Sequence, residues 1–199
     1  PAPAVLQGRV GPPVRSIRVA ILTCSDQGSQ GLREDRSGDL VQAWAEERDY
    51  VLVARDLVPD ESSEIVPRLL AWCDGGEVDV VVCTGGTGFG PRDGTTEAAR
   101  AVIQRGADGL AEAIRRAGEA STPFAPLSRG VAGIRGRTLV LTLPGSPGGV
   151  RDGLAVLHPL LDHLVAILRG EESEHRPTES EHGPPQPEFV STRPERTDS

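Results

Sequence analysis

Short apolar runs alternate along the chain with stretches whose apolar residues recur every three or four positions. Arg18 to Thr23 (RVAILT) suits a strand buried on both faces, and Ser37 to Arg48 follows with Leu40, Val41, Trp44 and Ala45 on one helical face. Tyr50 to Val58 (YVLVARDLV) is again strand-like, and Asp60 with Ser62 or Ser63 offers N-cap chemistry to a helix carrying Ile65, Val66, Leu69, Leu70 and Cys73 on one side. Val78 to Cys83 (VDVVVC) reads as the central strand because nearly every position is apolar. After a glycine-rich stretch, Thr95 to Gln104 and Ala107 to Ala120 are predicted helices, and Thr138 to Leu143 (TLVLTL) is a further strand. Val150, Leu154, Leu157, Leu161, Leu164 and Leu168 then form a helical stripe, which Pro159 interrupts, so a kink or two consecutive helices are expected.

Strands alternating with helices predict a three-layer α/β/α sandwich with a mainly parallel sheet, whose ligands collect at the carboxyl ends of the strands. The residues of interest should therefore follow Thr23, Val58, Cys83 and Leu143, and those four places hold the unusual sequence.

With 199 residues the chain fits one domain with extensions. Residues 171 to 199 hold eight acids, three Arg and five prolines, with Phe189 and Val190 the sizeable apolar groups, and are expected to be an acidic disordered tail. Residues 1 to 16 are expected to be an extended arm, leaving 17 to 170 as the domain. No apolar run reaches the ~18 residues of a membrane helix, and the arm lacks the apolar region of a signal peptide, so a cytoplasmic protein is expected.

Composition removes several chemistries. All 21 basic residues are Arg, which excludes Walker-type phosphate loops and Schiff-base enzymes, and the absence of Asn excludes a Cys-His-Asn protease. A net charge of −8 argues against non-specific nucleic-acid binding. Cys24, Cys73 and Cys83 lack the spacing of a zinc or redox motif, and Cys24 and Cys83 are expected to be buried at strand ends. His158 and His163 lie five apart, off the spacing for two ligands on one helical face, and Trp44 and Trp72 are expected to pack.

Thr84 to Glu97 (TGGTGFGPRDGTTE) is the most informative segment. Its glycines permit positive φ and close approach, so successive N–H groups can cradle an anion near the helix beginning at Thr95; a purely structural turn fits equally. Arg92 and Asp93 supply the cation and carboxylate that metal-assisted phosphoryl or nucleotidyl transfer requires, or else a surface ion pair with a helix cap. Asp60 by itself is explained as an N-cap for the helix that follows it, although a second carboxylate beside Asp93 would complete a Mg²⁺ site. Thr23-Cys24-Ser25-Asp26, continuing through Asp35, Ser37 and Gly38, suits a binding loop, and Leu143-Pro144-Gly145-Ser146-Pro147 is a rigid turn with a hydroxyl and free N–H groups.

Together these loops resemble the MogA/MoaB family of molybdenum cofactor biosynthesis, a domain shared with gephyrin. The resemblance spans about residues 17 to 170 and rests on Ser25-Asp26 with Asp35-x-Ser37-Gly38, Pro59-Asp60, Thr84-Gly85-Gly86-Thr87-Gly88 with Arg92-Asp93-x-Thr95-x-Glu97, Ser128-Arg129 with Gly133, and Leu143 to Pro147. It implies a domain that binds molybdopterin and, with Mg²⁺ and ATP, adenylylates its terminal phosphate with release of pyrophosphate. The product would pass to a molybdate-inserting partner of the MoeA type, and the assembly implied is a homotrimer or hexamer. Asp60 and Asp93 match the family's catalytic carboxylates and are the candidate Mg²⁺ ligands. Ser25, Asp26, Thr84, Gly85, Gly86, Thr87, Gly88, Arg92, Gly145 and Ser146 are the candidate pterin and phosphate contacts. The alternatives are a non-catalytic MoaB-type carrier and a nucleotide pyrophosphatase.

Overall fold

The computed structural model describes residues 16–171, so the expected arm and tail lie outside the described residues apart from Ser16 and Glu171. These residues form strands β1 (Arg18–Cys24), β2 (Val51–Val58), β3 (Val80–Thr84), β4 (Arg105–Gly106), β5 (Ala132–Arg135) and β6 (Thr138–Leu143) in one sheet of order β2-β1-β3-β6-β5-β4. β2, β1, β3 and β6 run parallel, whereas β5 is antiparallel to β6 and β4 to β5. The helices are α1 (Asp26–Ser29), α2 (Arg36–Glu46), α3 (Ser62–Asp74), α4 (Thr95–Val102), α5 (Asp108–Gly118) and α6 (Pro147–Arg169).

Strand alternation splits the core in two. Val19 and Ile21, Val80 and Val82, and Leu139, Leu141 and Leu143 face α2, α5 and α6. Ala20, Leu22 and Cys24, Val81 and Cys83, and Val140 face α3 and α4. The sheet is therefore covered on both sides, as continuous apolar runs require, and the three-layer α/β/α architecture read from the sequence is the one observed. Among the described residues no helix is long and apolar enough to cross a membrane.

Two expectations are corrected. Of the two outcomes expected at Pro159, two consecutive helices are excluded: the stripe from Val150 to Leu168 lies in one helix of 23 residues, and Pro159 and Ala155, whose carbonyl loses its intrahelical donor, lie on the exposed face where that carbonyl is open to solvent. The helix starting at Thr95 ends at Val102, since the N–H of Gln104 donates to the Ile134 carbonyl (2.9 Å) and the chain turns into β4. The β4–β5 extension has no signature in the sequence, because a two-residue strand and a four-residue strand (AGIR) carry almost no alternation.

Candidate functional site

The parallel register places the carboxyl ends of four strands on one edge: Cys24 lies opposite Val58, Thr23 opposite Thr84, and Thr84 opposite Leu143. A polar cleft of about 660 Å³ opens there, lined by Ser25, Asp26, Asp60, Gly85, Gly86, Thr87, Gly88, Arg92, Asp93, Gly145 and Ser146. Of the residues singled out from sequence, Thr84 stays outside it. Its buried hydroxyl lies 2.8 Å from Ser37 Oγ, and Ser37 and Thr23 both donate to Asp35, which also caps α2 and pairs with Arg55. Thr84 thus supports the loop from beneath.

Two consecutive left-handed residues bend the chain as it leaves β3. Gly85 has φ +92° and Gly86 φ +57°, and the Gly85 N–H donates to the Leu143 carbonyl (3.1 Å), tying this loop to the β6–α6 turn. A Cβ on Gly85 would overlap the Cys24 carbonyl, and one on Gly86 would overlap the Asp60 carboxylate and Thr95 Oγ1. Among the described residues the N–H groups of Gly86, Thr87 and Gly88 have no protein acceptor, leaving three donors for an anion. On the other side Ser146 caps α6, its Oγ accepting from the Gly149 N–H (3.2 Å).

Asp60 has another partner than sequence suggested. Glu61, not Asp60, is the N-cap of α3. The Asp60 carboxylate serves the start of α4, Oδ1 accepting from the Gly94 N–H and the Thr95 hydroxyl at 3.0 Å each, while its own N–H donates to Asp26 Oδ1 (3.0 Å). Among the described residues Oδ2 has no hydrogen-bond partner. Burial, opposed by those bonds and joined by the negative charges of Asp93 and Asp26, raises its pKa above the ordinary carboxylate value. Asp93 Oδ2 accepts from the Gly90 N–H (2.7 Å), and its other oxygen has no partner among the described residues.

Asp26 and Arg92 meet each other. The Arg92 guanidinium grips Asp26 through Nε and Nη2, both at 3.1 Å, and Nη2 also reaches Glu61 (3.0 Å), bridging the glycine-rich loop to the loops after β1 and β2. Hydrogen bonding from Arg92 lowers the Asp26 pKa. Ser25 caps α1, accepting from the Gly28 N–H (3.1 Å).

Sequence reasoning missed a second, mainly apolar cleft of about 520 Å³, lined by Ile114, Phe124, Ala125, Leu127, Pro144 and Asp152 among others. It shares Thr87, Gly88 and Ser146 with the polar cleft. Phe124 and Leu127 flank and end a single 3₁₀ turn (Ala125–Leu127), too short to show periodicity; the available signal was large apolar residues in a connection where they stay exposed. Among the described residues no group of three or more His, Cys, Asp or Glu could hold a metal ion. A cation at Asp60 and Asp93 would have to complete its shell from ligand oxygens and water, as Mg²⁺ does with phosphates, so the free carboxylate oxygens fit that ion.

Residues 20–163 match the family described as "Probable molybdopterin binding domain". A molybdopterin adenylyltransferase of Helicobacter pylori is 36% identical over 161 residues, covering 79% of this chain and 90% of that protein. The Drosophila melanogaster molybdenum cofactor synthesis protein cinnamon is 37% identical over 166 residues, 83% of this chain, which spans only 28% of that longer protein. The crystal structure of the molybdopterin biosynthesis enzyme MoaB from Thermus thermophilus superposes with TM-score 0.73 and 44% identity, covering 77% of this chain and 97% of that one.

Proposed function

The chain belongs to the molybdopterin-binding domain family of molybdenum cofactor biosynthesis, and from that premise we propose that it is a molybdopterin adenylyltransferase, joining the adenylyl group of ATP to the terminal phosphate of molybdopterin. The observation that carries this reading is the meeting of a polar and an apolar cleft at Thr87, Gly88 and Ser146. An apolar cleft with a few polar groups suits a flat heterocycle, and a cleft rich in N–H donors and carboxylates suits phosphates with a cation. The shared boundary is where a phosphate on one ligand can meet a phosphate on the other.

In the reaction an oxygen of the pterin phosphate attacks the α-phosphorus, a P–O bond forms as the bond to the β-phosphate oxygen breaks, and pyrophosphate leaves. The nucleophile is already ionised at neutral pH, so no general base is required; positioning and charge stabilisation dominate. The N–H groups of Gly86, Thr87 and Gly88 donate to phosphate oxygens, and Ser146 with the N-terminus of α6 orients the pterin phosphate. Arg92, held by Asp26 and Glu61, keeps Nη1 for a phosphate oxygen. Asp60 and Asp93 are the residues that would hold Mg²⁺, which when bound supplies charge neutralisation between the facing phosphates.

Exposed apolar side chains away from the cleft, Val51 and Val53 on β2 and Leu160 and Ile167 on α6, are consistent with self-association. The proposed assembly is a homotrimer, and the proposed consumer of the product is a MoeA-type molybdate-inserting protein. The reading is tested by molybdopterin-dependent pyrophosphate release from Mg-ATP. Asp93→Ala is expected to lower the rate by about a hundredfold or more while keeping the fold; a variant with the wild-type rate contradicts the assignment of Asp93.

A further inference from the structure

We propose that Arg129 is a positioning residue for the polyphosphate end of the cleft, setting the curvature of the glycine-rich loop and holding the two candidate metal carboxylates in register. This rests on the adenylyltransferase reading and adds to it a residue outside the polar cleft.

The contacts converge on one residue, one through its backbone and the rest through its side chain. The Arg129 N–H donates to the Thr87 carbonyl (2.8 Å), Nε to the Gly88 carbonyl (2.5 Å) and Nη2 to the Asp93 carbonyl (2.6 Å). Nη1 pairs with Glu97, and the guanidinium lies over the Phe89 ring, 5.8 Å from its centroid. Its base is held in place: the Gly130 carbonyl accepts from Arg115 (2.8 Å), the Val131 carbonyl accepts from the Thr142 N–H of β6 (2.9 Å), and the Val131 N–H donates to the Thr142 hydroxyl (2.8 Å). Among the described residues nothing else ties the Thr87 to Phe89 backbone to the scaffold by a hydrogen bond.

In a trans peptide the carbonyl of one residue and the N–H of the next point in opposite directions. Holding the Thr87 carbonyl therefore turns the Gly88 N–H away from Arg129. The Asp93–Gly94 peptide makes the stronger case: its carbonyl accepts from Arg129 Nη2 (2.6 Å), and its N–H donates to Asp60 Oδ1 (3.0 Å). One peptide unit thus links Arg129, Asp93 and Asp60. Only a planar fork with divergent N–H groups reaches two carbonyls and a carboxylate at once, which Lys cannot reproduce.

The test is calorimetric binding of a non-hydrolysable ATP analogue with Mg²⁺, alongside thermal unfolding. Arg129→Lys is expected to weaken binding by about tenfold or more, since a misplacement near 1 Å is costly at such sites, with the unfolding midpoint close to wild type. Arg129→Ala is expected to regain affinity on adding millimolar guanidinium but not ammonium, a rescue that a merely structural role does not provide. Glu97→Gln leaves the bonds to the three carbonyls in place and is expected to stay within about threefold of wild type, as for an exposed ion pair. Wild-type affinity in Arg129→Lys overturns the proposal, as does an Arg129→Ala loss indifferent to guanidinium. So does a Glu97→Gln loss equal to that of Arg129→Lys, which would assign the effect to the ion pair. A wild-type chain that binds no analogue overturns the adenylyltransferase reading together with this proposal, whereas binding that ignores Arg129 overturns this proposal alone.

Discussion

Gly86 shows how tightly single residues are specified at the cleft. Its φ of +57° and the Asp60 and Thr95 side chains crowding its α-carbon leave no room for a Cβ, whereas Gly31, at φ +71°, has nothing within 4 Å of the Cβ position. Gly31→Ala should therefore cost only the backbone strain, about 1 kcal/mol, and leave nucleotide binding unchanged. Gly86→Ala should cost that strain plus displacement of Asp60, about 2 kcal/mol or more, and abolish binding. Denaturation midpoints and analogue binding for the pair check this; equal effects would contradict it. The glycine-rich turn was legible in the sequence, but the reason Gly86 must be glycine was not, because it depends on a carboxylate from another loop. Asp60 likewise has a complete local explanation as an N-cap, yet the amide it bonds, that of Gly94, is 34 residues away.

Elements with strong periodicity could be read, and weak ones could not. The four parallel strands and the helices after them follow from buried runs and helical stripes, and that frame alone located the cleft. β4 and β5 escaped because pairing with β6, and no pattern of their own, makes them strands. In α6 Pro159 removes one donor without splitting the helix in two, since the broken bond faces solvent. Pro159→Ala should restore the donor to the Ala155 carbonyl and stabilise the protein by about 1 to 2 kcal/mol, less than the full ~3 kcal/mol propensity difference because the unfolded chain gains freedom. A denaturant midpoint that falls instead would show that Pro159 contributes packing of its own.

Across the whole molecule, the cleft lies at one edge of the sheet and a charge cluster closes the opposite edge. Asp79, buried at the start of β3, accepts from the Arg18 N–H and from both the Arg18 and Arg169 guanidinium groups, so the first strand, the central strand and the end of α6 meet on one carboxylate. Burial raises its pKa, but these bonds outweigh burial and hold it at about 2. A depressed carboxylate stabilises the fold fully above its unfolded pKa of about 3.9 and loses that contribution as pH falls towards the folded value. Stability should therefore drop between about pH 4 and pH 2, and Asp79→Asn should flatten that drop while costing about 3 kcal/mol at neutral pH. Unfolding free energy against pH for both proteins is the check, and parallel profiles would contradict the linkage. At the cleft edge the central claim is transfer of an adenylyl group between two ligands bound side by side, and the most direct measurement is the fate of label from α-³²P-ATP incubated with Mg²⁺ and molybdopterin. Label recovered on the pterin in amounts equal to the pyrophosphate released is the predicted result. Label found only in ATP would identify a carrier, and label found only in free AMP a pyrophosphatase; either contradicts the transferase.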